Sequence, residues 1–365
     1  MRLRFICLLA LLQLGLFATS SVADTLEKTI VASNKMLQYT GRIDFSDANA
    51  PFLSWPASSV KARFTGSSLA VILDDQKGEN YFNVIINGNT DYPFVIDCEP
   101  GEQTYVVSTS LHNDPHTVEI FKRTEGQEGG TRFKGFVLDA DARLLQPPER
   151  PMRRIEFYGD SVTSGMGNEA ADNASDYLAS DKNNYLAYGS FVARNLNAEH
   201  HSISQSSIGI MISWIDFIMP EFYNQLSAVG NNDTEWNFSV WTPDVVVINL
   251  MQNDSWLIDL EKRLQPMPTE QARIQAYMDF LSLIRNQYPH ALIICVLGSM
   301  DATRQGSLWP GYISQAVERI KQQDPSEKIE TLFFDFTGYE PHPRVHQHKL
   351  NADKLTAFIK QKMQW

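Results

Sequence analysis

The sequence predicts an α/β protein: a three-layer α/β/α domain on a parallel sheet, preceded by an antiparallel β-sandwich of jelly-roll type. Three observations predict it. Short alternating runs with turn residues around them fill the first part of the chain, with no helical periodicity between them. Continuous Val/Ile/Leu runs alternate with helix-like segments in the rest, the pattern of strands covered on both faces. Pro147, Pro148 and Pro151 stand between the two textures, where no central strand can continue.

Taken in order, the chain opens with Arg2 and Arg4, an apolar run over 5–17 and the small residues Ser21-Val22-Ala23. That is the layout of a secretory signal, and the apolar run is shorter than the ~20 residues a membrane span needs. Residues 1–23 are therefore expected to be a signal peptide, and the mature protein to be secreted or periplasmic. Its loss removes two arginines and no acid, moving the formal charge from −12 to −14. An acidic chain is a poor partner for nucleic acid or anionic membrane, and suits a neutral substrate. Of three cysteines, Cys98 and Cys295 remain after residue 23. Cys295 lies in the apolar run 291–297 and Cys98 far upstream, so two buried thiols are expected rather than a disulfide or a zinc site.

Residues 24–146 form the expected sandwich, with strands at 59–64, 69–73, 81–86, 103–107 and 116–121. Turn residues separate or follow them, Gly66-Ser67-Ser68 and Asn87-Gly88-Asn89 among them. Residues 147–152 are a stiff proline-rich linker. Residues 153–365 then alternate strand candidates at 155–158, 201–204, 245–250, 292–297 and 332–336 with helix candidates at 184–197, 268–287, 308–323 and 351–363. Such alternation implies a parallel, doubly wound sheet. The polar stretch 230–241 reads as a surface insertion.

In such sheets ligands bind at the carboxyl ends of the strands. The first strand candidate ends in Gly159-Asp160-Ser161, which delivers a hydroxyl to that edge. A bare Gly-Asp-Ser also reads as an ordinary capped turn, so Ser161 needs partners at other strand ends. A nucleophilic serine requires a base and donors for an oxyanion. After the second strand comes Gly209, whose backbone N–H is unobstructed by a side chain. After the third comes Asn253, whose side-chain amide can donate. After the last comes His342, held between Pro341 and Pro343 as a fixed base would be. Four positions on four strand ends, in this order, carry more weight than any one of them.

The ordered set Gly159-Asp160-Ser161, Gly209, Asn253-Asp254 and His342-Pro343 resembles the SGNH (GDSL-type) hydrolase superfamily. A β-sandwich ahead of that domain is similar to the layout of carbohydrate esterase family 2, as is the run Tyr158-Gly159-Asp160-Ser161-Val162-Thr163-Ser164-Gly165 at the serine. The resemblance covers the chain from Gly41 to the last helix. It implies a serine esterase that removes acetyl groups from plant polysaccharides such as xylan and glucomannan, with no metal or other cofactor. It also implies Ser161 as nucleophile, His342 as base, and an oxyanion hole of the Ser161 and Gly209 amides with Asn253.

Two positions depart from the family pattern. Where Asp often stands three before the histidine there is Tyr339, and the nearest acid is Glu340. Either Glu340 or a backbone carbonyl then orients His342; Asp335 is a poorer candidate. Met251 replaces the usual glycine two residues before Asn253. Trp256, Trp214 and Trp309 follow strand ends or site blocks and are candidate platforms for a pyranose face, with core packing as the alternative. His346 and His348 are expected to pack or face solvent. The expected partner is an acetylated polysaccharide or oligosaccharide, bound by a monomer. Two other readings compete: a lipolytic esterase or lysophospholipase of the same superfamily, and a non-catalytic carbohydrate-binding protein.

Overall fold

The computed structural model describes residues 28–112, 114–337 and 342–365. The expected signal 1–23 and Glu340 lie outside the described residues. No described helix is long and apolar enough to cross a membrane.

Two antiparallel sheets form the sandwich. One runs Ile43–Asp44, Phe52–Leu53, Thr131–Leu138, Leu69–Asp75, Gly101–Ser108; the other runs Leu144–Leu145, Ser59–Phe64, His116–Lys122, Tyr81–Ile86, Phe94–Asp97. The alternation of Ser59–Phe64 places Val60, Ala62 and Phe64 inward, where they meet Val118 and Ile120 and, from the facing sheet, Val71, Leu73, Phe133 and Phe136. Cys98 is buried in this core and Cys295 in the other, both as free thiols.

The second half is built on a five-stranded parallel sheet. Its order is Ala198–Ser204, Arg153–Gly159, Val245–Asn249, Leu292–Leu297, Ile329–Phe333. In sequence rank this is 2-1-3-4-5, so the chain reverses direction across the sheet at the strand Arg153–Gly159. The crevice of an open α/β sheet opens at that switch point. Helices Tyr188–Leu196 and Val345–Met363 cover one face, and Glu270–Gln287 and Trp309–Gln323 the other.

Three expectations need correcting. The last strand ends at Phe333 and not at 336, because its single partner ends at Leu297, opposite Phe333. The last helix begins at Val345, six residues before the expected start. Arg344 N–H is capped there by Gln347 Oε1 at 2.7 Å, and the polar run His346-Gln347-His348 hid that first turn from the apolar pattern. The stretch 230–241 is not a simple surface insertion. Trp241 stacks on His201 with ring centroids 3.7 Å apart, and Trp236 and Phe238 lie over the Arg42 guanidinium.

The two halves share a polar seam. Arg42 donates to Glu156, to Tyr158 Oη and to the carbonyls of Tyr223 and Gln225. Trp55 Nε1 donates to the Leu226 carbonyl at 2.7 Å, and Arg123 is bonded to the loop carbonyls of Ser180 and Lys182.

Candidate active site

Ser161 opens a single helical turn, Ser161–Ser164, directly after the strand Arg153–Gly159. Asp160 caps that turn, accepting the Val162 N–H at 3.0 Å. Gly159 is required: a Cβ there would lie 1.9 Å from Thr163 Oγ1. As the first residue of the turn, Ser161 has a backbone N–H with no intrahelical acceptor. The hydroxyl is 2.9 Å from His342 Nε2. His342 Nδ1 is in turn 2.9 Å from Asp176 Oδ2, which also accepts the His342 backbone N–H at 2.7 Å. An ionised carboxylate only accepts, so Nδ1 carries the proton and Nε2 faces the serine with its lone pair.

Asp176 was not foreseen. It comes from an irregular loop after the nucleophile turn, and its place at His342 is the one expected of Glu340 or a carbonyl. Burial works against its charge, but the two hydrogen bonds from His342, with the charge of Arg344, outweigh it and hold its carboxyl at about 2. Arg344 fastens the loop, donating to the carbonyls of Gly167, Ala171 and Ala174 and to that of His342. At Gly167 a Cβ would stand 2.2 Å from Asp176 Cβ, so that glycine admits the acid. The available sequence signal was thin: a glycine and three acids, Glu169, Asp172 and Asp176, in a polar stretch soon after the serine.

Asn253 lies in the turn Gln252–Ser255 and spends one side-chain hydrogen on the Ile208 carbonyl at 2.8 Å, leaving the other. Met251, at φ 91, occupies the left-handed region where the family pattern has glycine. That conformation costs a side chain of order 1 kcal/mol, and the full burial of Met251 offsets it. Gly209 has no room for a Cβ, with Ile212 O at 2.1 Å and Asp254 Oδ2 at 2.7 Å. Its N–H, however, is engaged by Ser213 Oγ at 2.9 Å. Asp254 accepts the next three amides, Ile210 to Ile212, and so shapes this loop.

Above Asp176 opens a cleft of about 1120 Å³ lined by Tyr177, Trp214, Trp256, Asp172, Asp301 and Phe336, among others. Trp214 is 41% exposed, with the Arg263 guanidinium over one side of its ring. Trp256 anchors its N–H on Asp301 at 2.7 Å. Trp309 takes the core-packing alternative. It is 3% exposed, gives its N–H to Asp259 and packs under Arg273 and against Tyr312. It opens the helix Trp309–Gln323, whose first turn faces the core. His348 is buried and accepts the Tyr188 N–H, and burial lowers it to about 3; His346 faces solvent.

The chain is similar to several known proteins. The family model described as carbohydrate esterase 2 N-terminal matches residues 39–148. The cellulase/esterase CelE of Acetivibrio thermocellus is 33% identical over 91% of the chain, which spans only 40% of CelE's length. An acetylxylan esterase/glucomannan deacetylase of Cellvibrio japonicus is 28% identical, over 96% of this chain and 97% of its own. A family two carbohydrate esterase from Clostridium thermocellum, solved with cellohexaose, superposes with a TM-score of 0.81 at 31% identity, covering 90% of this chain and 99% of that one.

Proposed function

The chain belongs to carbohydrate esterase family 2, and from that premise we propose that it is a serine esterase that removes O-acetyl groups from plant cell-wall polysaccharides, xylan and glucomannan among them. One observation carries the reading: the hydrogen-bonded line Ser161–His342–Asp176, whose Asp176 end lines an aromatic cleft. Residues 24–146 form the sandwich in this reading and 153–365 the hydrolase, joined by 147–152. The leader 1–23 sends the protein to the periplasm or the exterior.

In the proposed mechanism His342 Nε2 takes the proton of Ser161 Oγ as the oxygen bonds to the acetyl carbon. Asp176 keeps the imidazole in its Nδ1–H tautomer and stabilises the imidazolium. The oxyanion receives the Ser161 N–H and the free hydrogen of Asn253. The Gly209 N–H joins them by exchanging Ser213 Oγ for the substrate oxygen. One donor of this kind is worth ~3–4 kcal/mol in the transition state. The C–O bond to the sugar breaks and its oxygen leaves with the proton from His342. Water, deprotonated by the same nitrogen, then releases acetate and restores Ser161. Trp214 and Trp256 offer ring faces to the sugar C–H surface.

The carboxylates of Asp172 and Asp301 among the aromatic rings of the cleft favour a sugar over the long acyl chains of a lipolytic esterase. The test is acetate release from acetylated xylan, glucomannan and simple acetyl sugars, with nitrophenyl esters of increasing chain length beside them. Ser161→Ala is expected to lose at least about 10⁴-fold in kcat while still binding polysaccharide. Undiminished turnover in that variant sinks the mechanism, and binding without turnover in the wild type leaves the non-catalytic reading.

A further inference from the structure

The loop between the sandwich strands His116–Lys122 and Thr131–Leu138 reaches out of its own core and ends beneath the nucleophile. Gly126 makes the approach possible, since a Cβ there would lie 1.9 Å from the Ala228 carbonyl oxygen. The reach brings in Glu125, which is 1% exposed. Its Oε2 accepts the Ser164 hydroxyl at 2.7 Å and the Ser206 N–H at 2.6 Å, and its Oε1 accepts Lys182 Nζ at 3.1 Å. Burial opposes the charge, but Lys182 and the serine donors outweigh it and keep the Glu125 carboxyl below its ordinary range.

The three partners lie on three segments of the site. Ser164 closes the helical turn that Ser161 opens. Ser206 begins the loop that carries Ile208 and Gly209, the first of which holds Asn253. Lys182 closes the loop that carries Asp176. A single carboxylate therefore ties the nucleophile, the oxyanion segment and the acid together, and it comes from the other half of the protein. Among the described residues, no other sandwich side chain bonds all three.

We propose that Glu125 is a positioning residue of the esterase site, so that the sandwich completes the hydrolase rather than accompanying it. This rests on the esterase reading above. A misplacement of one ångström at reacting atoms can cost ~100-fold, and an unanchored loop end moves by that much. Glu125 touches neither substrate nor reacting atoms, so its loss leaves KM alone and lowers kcat.

Glu125→Gln has the same shape. Its amide oxygen can keep Ser164 and the Ser206 N–H only by turning its NH₂ toward the Lys182 ammonium, so Lys182 is left to Glu128 alone and the hold on the acid's loop is weakened. The expected result in the full-length chain is a fall in kcat of about tenfold, with KM for acetylated oligosaccharide within twofold. Labelling of Ser161 by a fluorophosphonate is expected to slow in parallel. Glu156→Gln, cutting the other buried ion pair of the seam, serves as the control: melting temperature falls and kcat well below it does not. A Glu125→Gln enzyme with wild-type kcat and labelling rate, whatever its melting temperature, overturns the proposal. Where that variant fails to fold, Ser164→Ala removes a single hydroxyl, and a fall of about threefold in kcat with KM unchanged supports the proposal, while no change overturns it. Failure of the esterase reading is seen separately: a wild type that is labelled at Ser161 yet releases no acetate leaves the labelling comparison to decide on Glu125.

Discussion

Two buried charge clusters join the sandwich to the parallel-sheet half, and they are built differently. In the first, Arg42 and Glu156 are both fully buried and 3.1 Å apart, with Tyr158 Oη bridging them and His201 beside Glu156. Trp55, Trp236 and Phe238 enclose the guanidinium. Its partners on the parallel-sheet side sit mid-strand or in packed loops. In the second, two acids, Glu125 and Glu128, share Lys182, with Lys122 close by, and the remaining partners are hydroxyls and amides of site loops. A matched pair inside aromatic walls suits holding two halves together. An unequal set wired to loop ends suits holding those ends in place. One cluster serves stability and the other geometry.

The comparison is broken most directly by cutting the line that the second cluster supports. Asp176→Asn places an NH₂ against His342 Nδ1, forcing the proton to Nε2, where it faces Ser161. A loss of about 10⁴-fold in kcat is expected, with little change in denaturation midpoint; steady-state kinetics and urea titration of the same sample measure both. Arg42→Met does the reverse. It leaves a buried Glu156 charge unpaired, and about 3–5 kcal/mol of unfolding free energy should disappear while kcat of the folded enzyme holds. An Arg42→Met protein that melts normally but turns over slowly would invert the assignment of the two clusters.

A pH series sharpens the contrast with smaller effects. Burial works against the Glu156 charge, but Arg42 and His201 outweigh it and hold the carboxyl at about 2, below its ordinary value of 4.5. A depressed carboxylate contributes stability that is whole above pH 4.5 and lost as pH falls toward 2. Lys122, beside the second cluster, is pushed by burial from 10.5 down to about 8. Between pH 8 and 10.5 the unfolded chain binds the extra proton, so stability rises with pH across that window. Each arm is of order 1–3 kcal/mol, read from denaturation midpoints. Glu156→Gln should flatten the acid arm, and Lys122→Met the alkaline one.

The residues legible from sequence share one property: each follows a strand whose composition announces it. Ser161 follows Ile155-Glu156-Phe157-Tyr158, Asn253 follows the run Val245–Asn249, and His342 stands between prolines after the last strand. The strand-end rule reaches that far. Asp176 lies in a stretch with no period and no flanking strand, so no local pattern separates it from Asp172. Arg344 and Glu125 escaped for a related reason, since each matters through carbonyls or loops far away in sequence. For Trp309 the sequence left platform and core packing both open, because position after a strand end does not say which way an indole turns. Here the helix that begins at Trp309 turns it inward.

What the sequence determined by itself is therefore the local part: strands, helices, their alternation, and the residues they deliver to one edge. Periodicity and turn chemistry act over a few residues, and those are written in neighbours. The tertiary structure alone decided which acid orients His342, and that a carboxylate from the sandwich lies beneath Ser161. Such pairings depend on the path of loops and the packing of one half against the other. Their energies arise only when distant groups are brought together out of water, and no stretch of the chain carries them in advance.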